Sequence, residues 1–301
     1  MIRKYNHNNI TWVDLENPTS EEIRSITAEY ELSDLVGQDL LSPTLRSKVD
    51  IYPNFVYLIL HIPSTNRIAG IQEIDFVIGK KFIITTRYEE IDPLLEFSKI
   101  FEIDSILNKD QIGTHAGFVF FYMMRTIYRS LLEKLDFLES DLIKIEQNIF
   151  AGHERKMVTE LSQTARTLLN FKTATDNHEA MLESLEAAHT AIFGNEFHHY
   201  IRNIQGEAKK VRNAILSKRD YIDELRDTND SLLTSKQNEI MKVFTILAFV
   251  TFPLSLIIDI VGIPSAHNPI LGNPNDFWII VGITIVVLAS MVMYFKKKEW
   301  L

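Results

Sequence analysis

The chain has 301 residues, a net charge of −9, a mean hydropathy of −0.01 and no cysteine. Without cysteine it has neither a disulfide framework nor a thiolate metal site. Five of the 31 Lys and Arg and four of the 40 Asp and Glu fall from Lys236 onward, leaving 26 basic and 36 acidic residues before it; that acidic surplus argues against nucleic acid and suits either a surface that attracts cations or plain solubility.

Met1 to Asn9 contains no apolar core of signal-peptide length. Residues 1–113 read as an α+β domain. Ile10 to Leu15 has strand character, and Asn17-Pro18-Thr19-Ser20-Glu21-Glu22 opens a helix, with Thr19 and Glu22 spaced as a capping box. Phe55 to Ile62 reads as a buried strand. Ile74–Ile78 and Phe82–Thr86 flank Gly79-Lys80-Lys81 as a hairpin, in which Gly79-Lys80 serves as a turn rather than a phosphate loop.

From residue 114 to 235 the pattern becomes helical and charged. Leu131, Leu135, Leu138, Leu142 and Ile145 recur at steps of three and four, an apolar stripe on one helix face. Gly152, Gly194 and Gly206 are expected to break two or three long antiparallel helices. After Gly206 there is no glycine or proline until Pro253, so an unbroken helix over 207–262 would be about 80–85 Å long.

Two apolar runs follow within 236–301: a first span at 243–262 and a second at 277–295, joined by a loop at 263–276. Each is close to the roughly 20 residues that cross a bilayer as a helix. Lys236 and Lys242 precede the first span, Lys296, Lys297 and Lys298 follow the second, and the loop has no Lys or Arg. The positive-inside rule then places both termini in the cytoplasm and the domain beneath a cell membrane.

One face of the long helix carries Asp220, Asp227, Thr234, Asn238, Met241, Thr245, Ala248, Phe252, Ser255 and Asp259. It passes from carboxylates through amide and hydroxyl into the apolar run, as a pore-lining helix requires; the cytosolic half would also serve as a solvated face. A carboxylate such as Asp259 inside a span is costly unless it meets water or a partner. Pro253 removes the helical donor to the Phe249 carbonyl. Two spans cannot enclose a pore, so several copies in a cyclic ring are needed. Asp227, Asn238 and Ser255 would then form rings of oxygen ligands suited to Mg²⁺, Ca²⁺ or Mn²⁺, and Phe244 and Phe252 apolar constrictions.

Asn238-Glu239-Ile240-Met241-Lys242-Val243, the run to Phe252-Pro253-Leu254-Ser255, the hairpin, and the tail Tyr294-Phe295-Lys296-Lys297-Lys298-Glu299-Trp300-Leu301 resemble the CorA family of magnesium transporters. So do Trp12 to Pro18, Asp39-Leu40-Leu41 and Phe76 to Phe82. The resemblance implies a funnel-shaped homopentamer in a lipid bilayer. It gives pore positions to Asn238, Phe244, Phe252 and Ser255 and an acidic stalk ring to Asp227; the helix face adds Ala248 and Asp259 to the expected path and Asp220 to the acidic stalk, and metal contacts are expected at Asp227, Asn238 and Asp259. No cofactor is implied; the divalent cation is cargo, and bound between cytosolic domains it favours closure. One departure is plain. The family's Gly-Met-Asn at the outer end of the first span is Gly262-Ile263-Pro264 here, so the receiving Asn is lost, and a ring of Asp259 is the expected replacement. The expected activity is passive divalent transport, of Mg²⁺ first. The alternatives are a Zn²⁺ or broad divalent transporter and a non-conducting scaffold.

His153, His178, His189 and His198-His199 lack zinc-site spacing and read as helix-surface residues, and His267 as a loop residue. No nucleophile–base pair or nucleotide motif is present, so an enzyme is not expected.

Overall fold

The computed structural model describes all residues except 8, 45, 65–69, 107–114, 264–273 and 299–301, and, among helical residues, leaves aside the side chains of 103–106, 188–191 and 196. It divides into two units, Met1–Arg226 and Asp227–Leu301.

In the first unit, strands β1 (Ile2–His7), β2 (Ile10–Glu16), β3 (Val49–Ile51), β4 (Phe55–Pro63), β5 (Ile71–Gly79) and β6 (Phe82–Arg87) form one sheet in the order β1-β2-β6-β5-β4-β3. Among the described strands only β2 and β6 pair in parallel. β4 and β5 are buried almost end to end, the mark of strands covered on both faces. On one face Val13, Leu15, Tyr57, Ile59, Val77 and Ile84 pack with Ile23 and Ile26 of α1 (Ser20–Glu29) and with Val36 of α2 (Asp34–Asp39). On the other, Trp12 meets Phe97 and Phe101 of α3 (Asp92–Ile106), and Phe76 meets Phe120 of α4 (Ala116–Phe150).

Local chemistry explains the boundaries. Thr19 accepts from the Glu22 amide at 3.3 Å while Glu22 accepts from the Thr19 amide at 2.8 Å, closing the capping box that starts α1. The β5–β6 turn is the expected hairpin. A Cβ on Gly79 would lie 2.3 Å from the Phe82 ring, so the glycine makes room for that aromatic.

The helical layer continues with α5 (Glu154–Thr175), α6 (His178–Phe193) and a short 3₁₀ turn (Asn195–Phe197) that leads into α7 (His198–Gly262). Leu131, Leu135, Leu138, Leu142 and Ile145 are all buried, as their spacing predicts. Gly152 and Gly194, at φ +93° and +81°, stand at helix junctions. Gly206 does not: α7 runs through it and starts at His198 rather than near 207. A lone glycine costs a helix only about 1 kcal/mol, and packing offsets that here. Ile201, Ile204, Ala208, Val211, Ile215, Lys218, Ile222 and Leu225 are all buried at alternating steps of three and four, a seam of coiled-coil period. Lys218 Nζ reaches Glu139 at 2.8 Å and the Tyr221 hydroxyl reaches Glu146 at 2.8 Å, tying this seam to α4.

In the second unit, α7 continues to Gly262 with Pro253 inside it, and α8 spans Asp276–Lys297. By length and composition both helices can cross a membrane, and their apolar stretches are almost wholly uncovered by the chain itself.

Candidate functional site: the α7 stripe and a polar pocket

Two stripes run along the apolar part of α7. Ile246, Val250, Pro253, Leu254, Ile257 and Val261 are its better-covered residues, and on α8 the matching set is Ile280, Val281, Thr284, Val287, Met291 and Phe295. Both follow the three–four spacing of a packed helix pair. Ala248, Phe252, Ser255 and Asp259 are exposed, as are Asp220, Asp227, Thr234, Asn238, Met241 and Phe244. At about 100° per residue this second stripe is centred on the side of α7 opposite the first. Phe252 is 79% exposed. Thr245 is partly covered and donates to the Met241 carbonyl at 2.7 Å, so that hydroxyl is satisfied within the helix.

One chain does not bring the three expected metal contacts together. Asp227, Asn238 and Asp259 lie 11 and 21 residues apart on one helix, about 16 and 32 Å along its axis. Among the described residues no group of three His, Asp or Glu is placed to hold a metal ion. Gly262 and Ile263 are exposed, whereas Pro264 and His267 lie outside the described residues.

A second constellation, not anticipated from sequence, sits at the β4–β5 edge. His61 Nε2 is 2.9 Å from Glu73 Oε2, and His61 Nδ1 is 2.8 Å from Ser47 Oγ. Glu73 also accepts from the Thr44 amide at 2.9 Å. The Glu73 hydrogen bond raises the His61 pKa above the ordinary histidine value, against the opposing effect of burial. These groups, with Gln72, Tyr88 and Asn177, line a cavity of about 380 Å³. Beside it, burial raises the Asp75 carboxyl well above the usual range, and the Tyr88 hydroxyl donates to it at 3.0 Å. The signal available in sequence was the pair of acids, Glu73 and Asp75, inside a strand that is apolar from Phe76 onward.

His178 departs from its surface expectation. It is buried. Its Nε2 donates to the His61 carbonyl at 2.8 Å, which leaves Nδ1 to accept from the Tyr128 hydroxyl at 3.1 Å. Burial pushes its pKa down to about 4, so the ring is neutral. His153 and His199 are exposed and His198 is half-buried near Glu186 at 3.4 Å, while the His189 side chain lies outside the described residues. On the opposite sheet face, fully buried Arg87 pairs with Asp14 at 3.2 Å and Glu16 at 2.9 Å, and Trp12 Nε1 donates to Thr85, which donates to Asp14. These contacts hold strands together and, apart from the half-buried Glu16, are buried; they are structural.

Comparison with known proteins gives one answer. The family described as "CorA-like Mg2+ transporter protein" matches residues 7–297. The "Cobalt/magnesium transport protein CorA" of Thermotoga maritima is 23% identical, covering 97% of this chain and 83% of its own length. Among solved structures, the complete CorA magnesium transporter of Methanocaldococcus jannaschii aligns with a TM-score of 0.87 at 20% identity, over 97% of this chain and 92% of its own. The full-length CmaX protein aligns at 0.74 and 15% identity, over 97% and 89%. Those two structures share the order found here: an N-terminal α/β domain, a long helix and two C-terminal apolar helices. Matched over nearly its whole length, the chain belongs to the CorA-like Mg²⁺ transporter family, whose members carry ions and are not enzymes.

Proposed function

We propose that identical copies of this chain assemble around an axis, as a funnel-shaped pentamer, into a passive divalent cation channel whose first cargo is Mg²⁺. α7 lines the path. Asn238, Ser255 and Asp259 present oxygen to the ion, Phe244, Ala248 and Phe252 narrow the path, and Asp220 and Asp227 form acidic rings before it. The observation that carries this reading is the exposed stripe on α7, opposite its better-covered side. A helix whose polar face is left bare by its own chain, inside a membrane, needs copies or water against that face. Mg²⁺ keeps much of its water shell, so amide and hydroxyl rings hold it through water. Family membership and the relatives named for cobalt and magnesium transport support the choice of cargo. The lysines flanking both spans support a cell-membrane location with both termini in the cytoplasm. Divalent ions bound by the cytosolic domains gate the channel.

The test is Mg²⁺ uptake into proteoliposomes under a membrane potential. Asn238→Ala is expected to lower uptake about tenfold or more, since a hydrogen bond to an ionic partner is worth about 1.5–3 kcal/mol. Asp259→Asn is expected to lower it as well. Wild-type liposomes as impermeable as empty ones would favour the second reading, a non-conducting scaffold. That reading has one specific support, the Gly262-Ile263-Pro264 segment in place of Gly-Met-Asn. Uptake of Zn²⁺ in preference to Mg²⁺ would move the cargo to zinc.

A further inference from the structure

Between α7 and α8 lies a cavity of about 400 Å³, lined by Phe249, Val287, Ser290, Met291, Tyr294 and Phe295. Its lining asks for nothing polar. Ser290 already donates to the Val286 carbonyl at 2.8 Å, and the other contributors are apolar apart from the Tyr294 phenol. The space is an open apolar groove rather than a closed hole; an apolar cavity of about 150 Å³ holds benzene, so on the same scale this one holds on the order of fifteen carbons. The next residues after the lining are Lys296 and Lys297, which end α8, and Lys298 beyond it, all exposed. Among the described residues none of the three forms an ion pair. Lysines that only set topology or complement a helix C-terminus need no apolar cavity one turn away. Here the two features adjoin, and their chemistry is that of one amphiphile with an anionic head.

We infer that this cavity holds an acyl chain of an anionic phospholipid from the cytoplasmic leaflet, with its phosphate on Lys296–Lys298. The inference rests on the reading that α7 and α8 cross a bilayer with their lysine ends in the cytoplasm. The tail fills the space flanked by Phe249 and Met291, and the Tyr294 phenol lies between tail and head, where an amphipathic ring is favoured. Each lysine near an anionic surface contributes about fivefold in affinity, so the site prefers anionic to zwitterionic lipid by tens of times when two or three engage. A bound lipid here would wedge α8 against the helix carrying the Asn238–Asp259 stripe, linking lipid composition to the same helix that lines the proposed path.

The chain has no cysteine, so Ser290→Cys gives a single labelling site. Full-length Ser290→Cys carrying an environment-sensitive fluorophore is reconstituted with lipids brominated on the acyl chain. Brominated phosphatidylglycerol and brominated phosphatidylcholine are compared at equal mole fraction. The expected result is several-fold stronger quenching by phosphatidylglycerol. Changing Lys296→Gln, Lys297→Gln and Lys298→Gln together should bring the two lipids level while quenching by phosphatidylcholine persists. Equal quenching with the lysines intact overturns the inference. So does absence of quenching by either lipid, the result of a second copy of the chain filling the cavity. Tyr294→Cys at the mouth is the second reporter where Ser290→Cys reconstitutes poorly. Mg²⁺ uptake measured in the same liposomes separates the two proposals: uptake without lipid preference removes the lipid site alone, and lipid preference without uptake removes the channel alone.

Discussion

Two histidines linked by a hydrogen bond, His178 Nε2 to the His61 carbonyl, titrate in opposite senses. His178 is buried and neutral, with its pKa pushed down to about 4 by burial; the unfolded chain therefore binds this proton more readily than the fold. Its contribution is full above the ordinary histidine pKa of about 6.5 and falls as the pH drops toward 4, by roughly 3 kcal/mol in all. His61 is raised by its hydrogen bond to Glu73. Its contribution is present below the ordinary value and is lost as the pH rises through the folded value. The acid limb of a stability profile thus includes His178 and the neutral-to-alkaline limb includes His61. Thermal unfolding of the full chain between pH 4 and 8 checks this. His178→Gln is expected to flatten the acid limb, and a limb of unchanged slope would remove His178 from the account. Tyr128→Phe, which withdraws the hydroxyl from Nδ1, is expected to cost about 1 kcal/mol at neutral pH. Nothing in the helical spacing of His178 marks it as interior; its burial follows from the long-range bond to the His61 carbonyl, 117 residues away.

At the level of elements, short-range signals were the legible ones. The capping box, the β5–β6 hairpin, the buried β4 and the leucine stripe of α4 each depend on neighbours within a few residues, and each is where its pattern placed it. β1 escaped because Ile2-Arg3-Lys4-Tyr5-Asn6-His7 is an edge strand, mostly polar and defined by pairing with β2. The start of α7 escaped because Gly206 was weighed by propensity alone, whereas the buried seam through Ile204 and Ala208 overrides it. The hairpin offers a direct test. Alanine at Gly79 would put its Cβ 2.3 Å from the Phe82 ring, and Phe82 packs on Tyr30 with ring centres 4.8 Å apart. Forcing such a contact typically costs about 1–3 kcal/mol. Gly79→Ala is expected to lower the unfolding temperature, with the loss partly recovered in Gly79→Ala/Phe82→Leu, where a smaller side chain clears the space. A double variant no more stable than the single one would show that the glycine is needed for backbone reasons instead.

For the whole molecule, sequence places the candidate path on α7 but cannot close it, because the proposed path would be made by copies of the chain rather than by its own folding. What one chain does supply is the sidedness of the helix. Ile246, Val250, Ile257 and Val261 are the better-covered residues; Ala248, Ser255 and Asp259 are left bare on the other side. In lipid, a bare side of this composition has two fates: acyl tails, which would strand a carboxylate at high cost, or a water-filled lumen. Cysteine scanning distinguishes them without interference from native thiols. Only a thiolate reacts with a water-soluble thiol reagent, and a thiol in contact with lipid or packed protein stays protonated. Ala248→Cys and Ser255→Cys are therefore expected to label faster than Val250→Cys and Ile257→Cys by on the order of tenfold or more, and to be protected when Mg²⁺ occupies the path. Equal, slow labelling of all four would put the Ser255–Asp259 side in the acyl tails, and no arrangement of copies around α7 could then conduct along it.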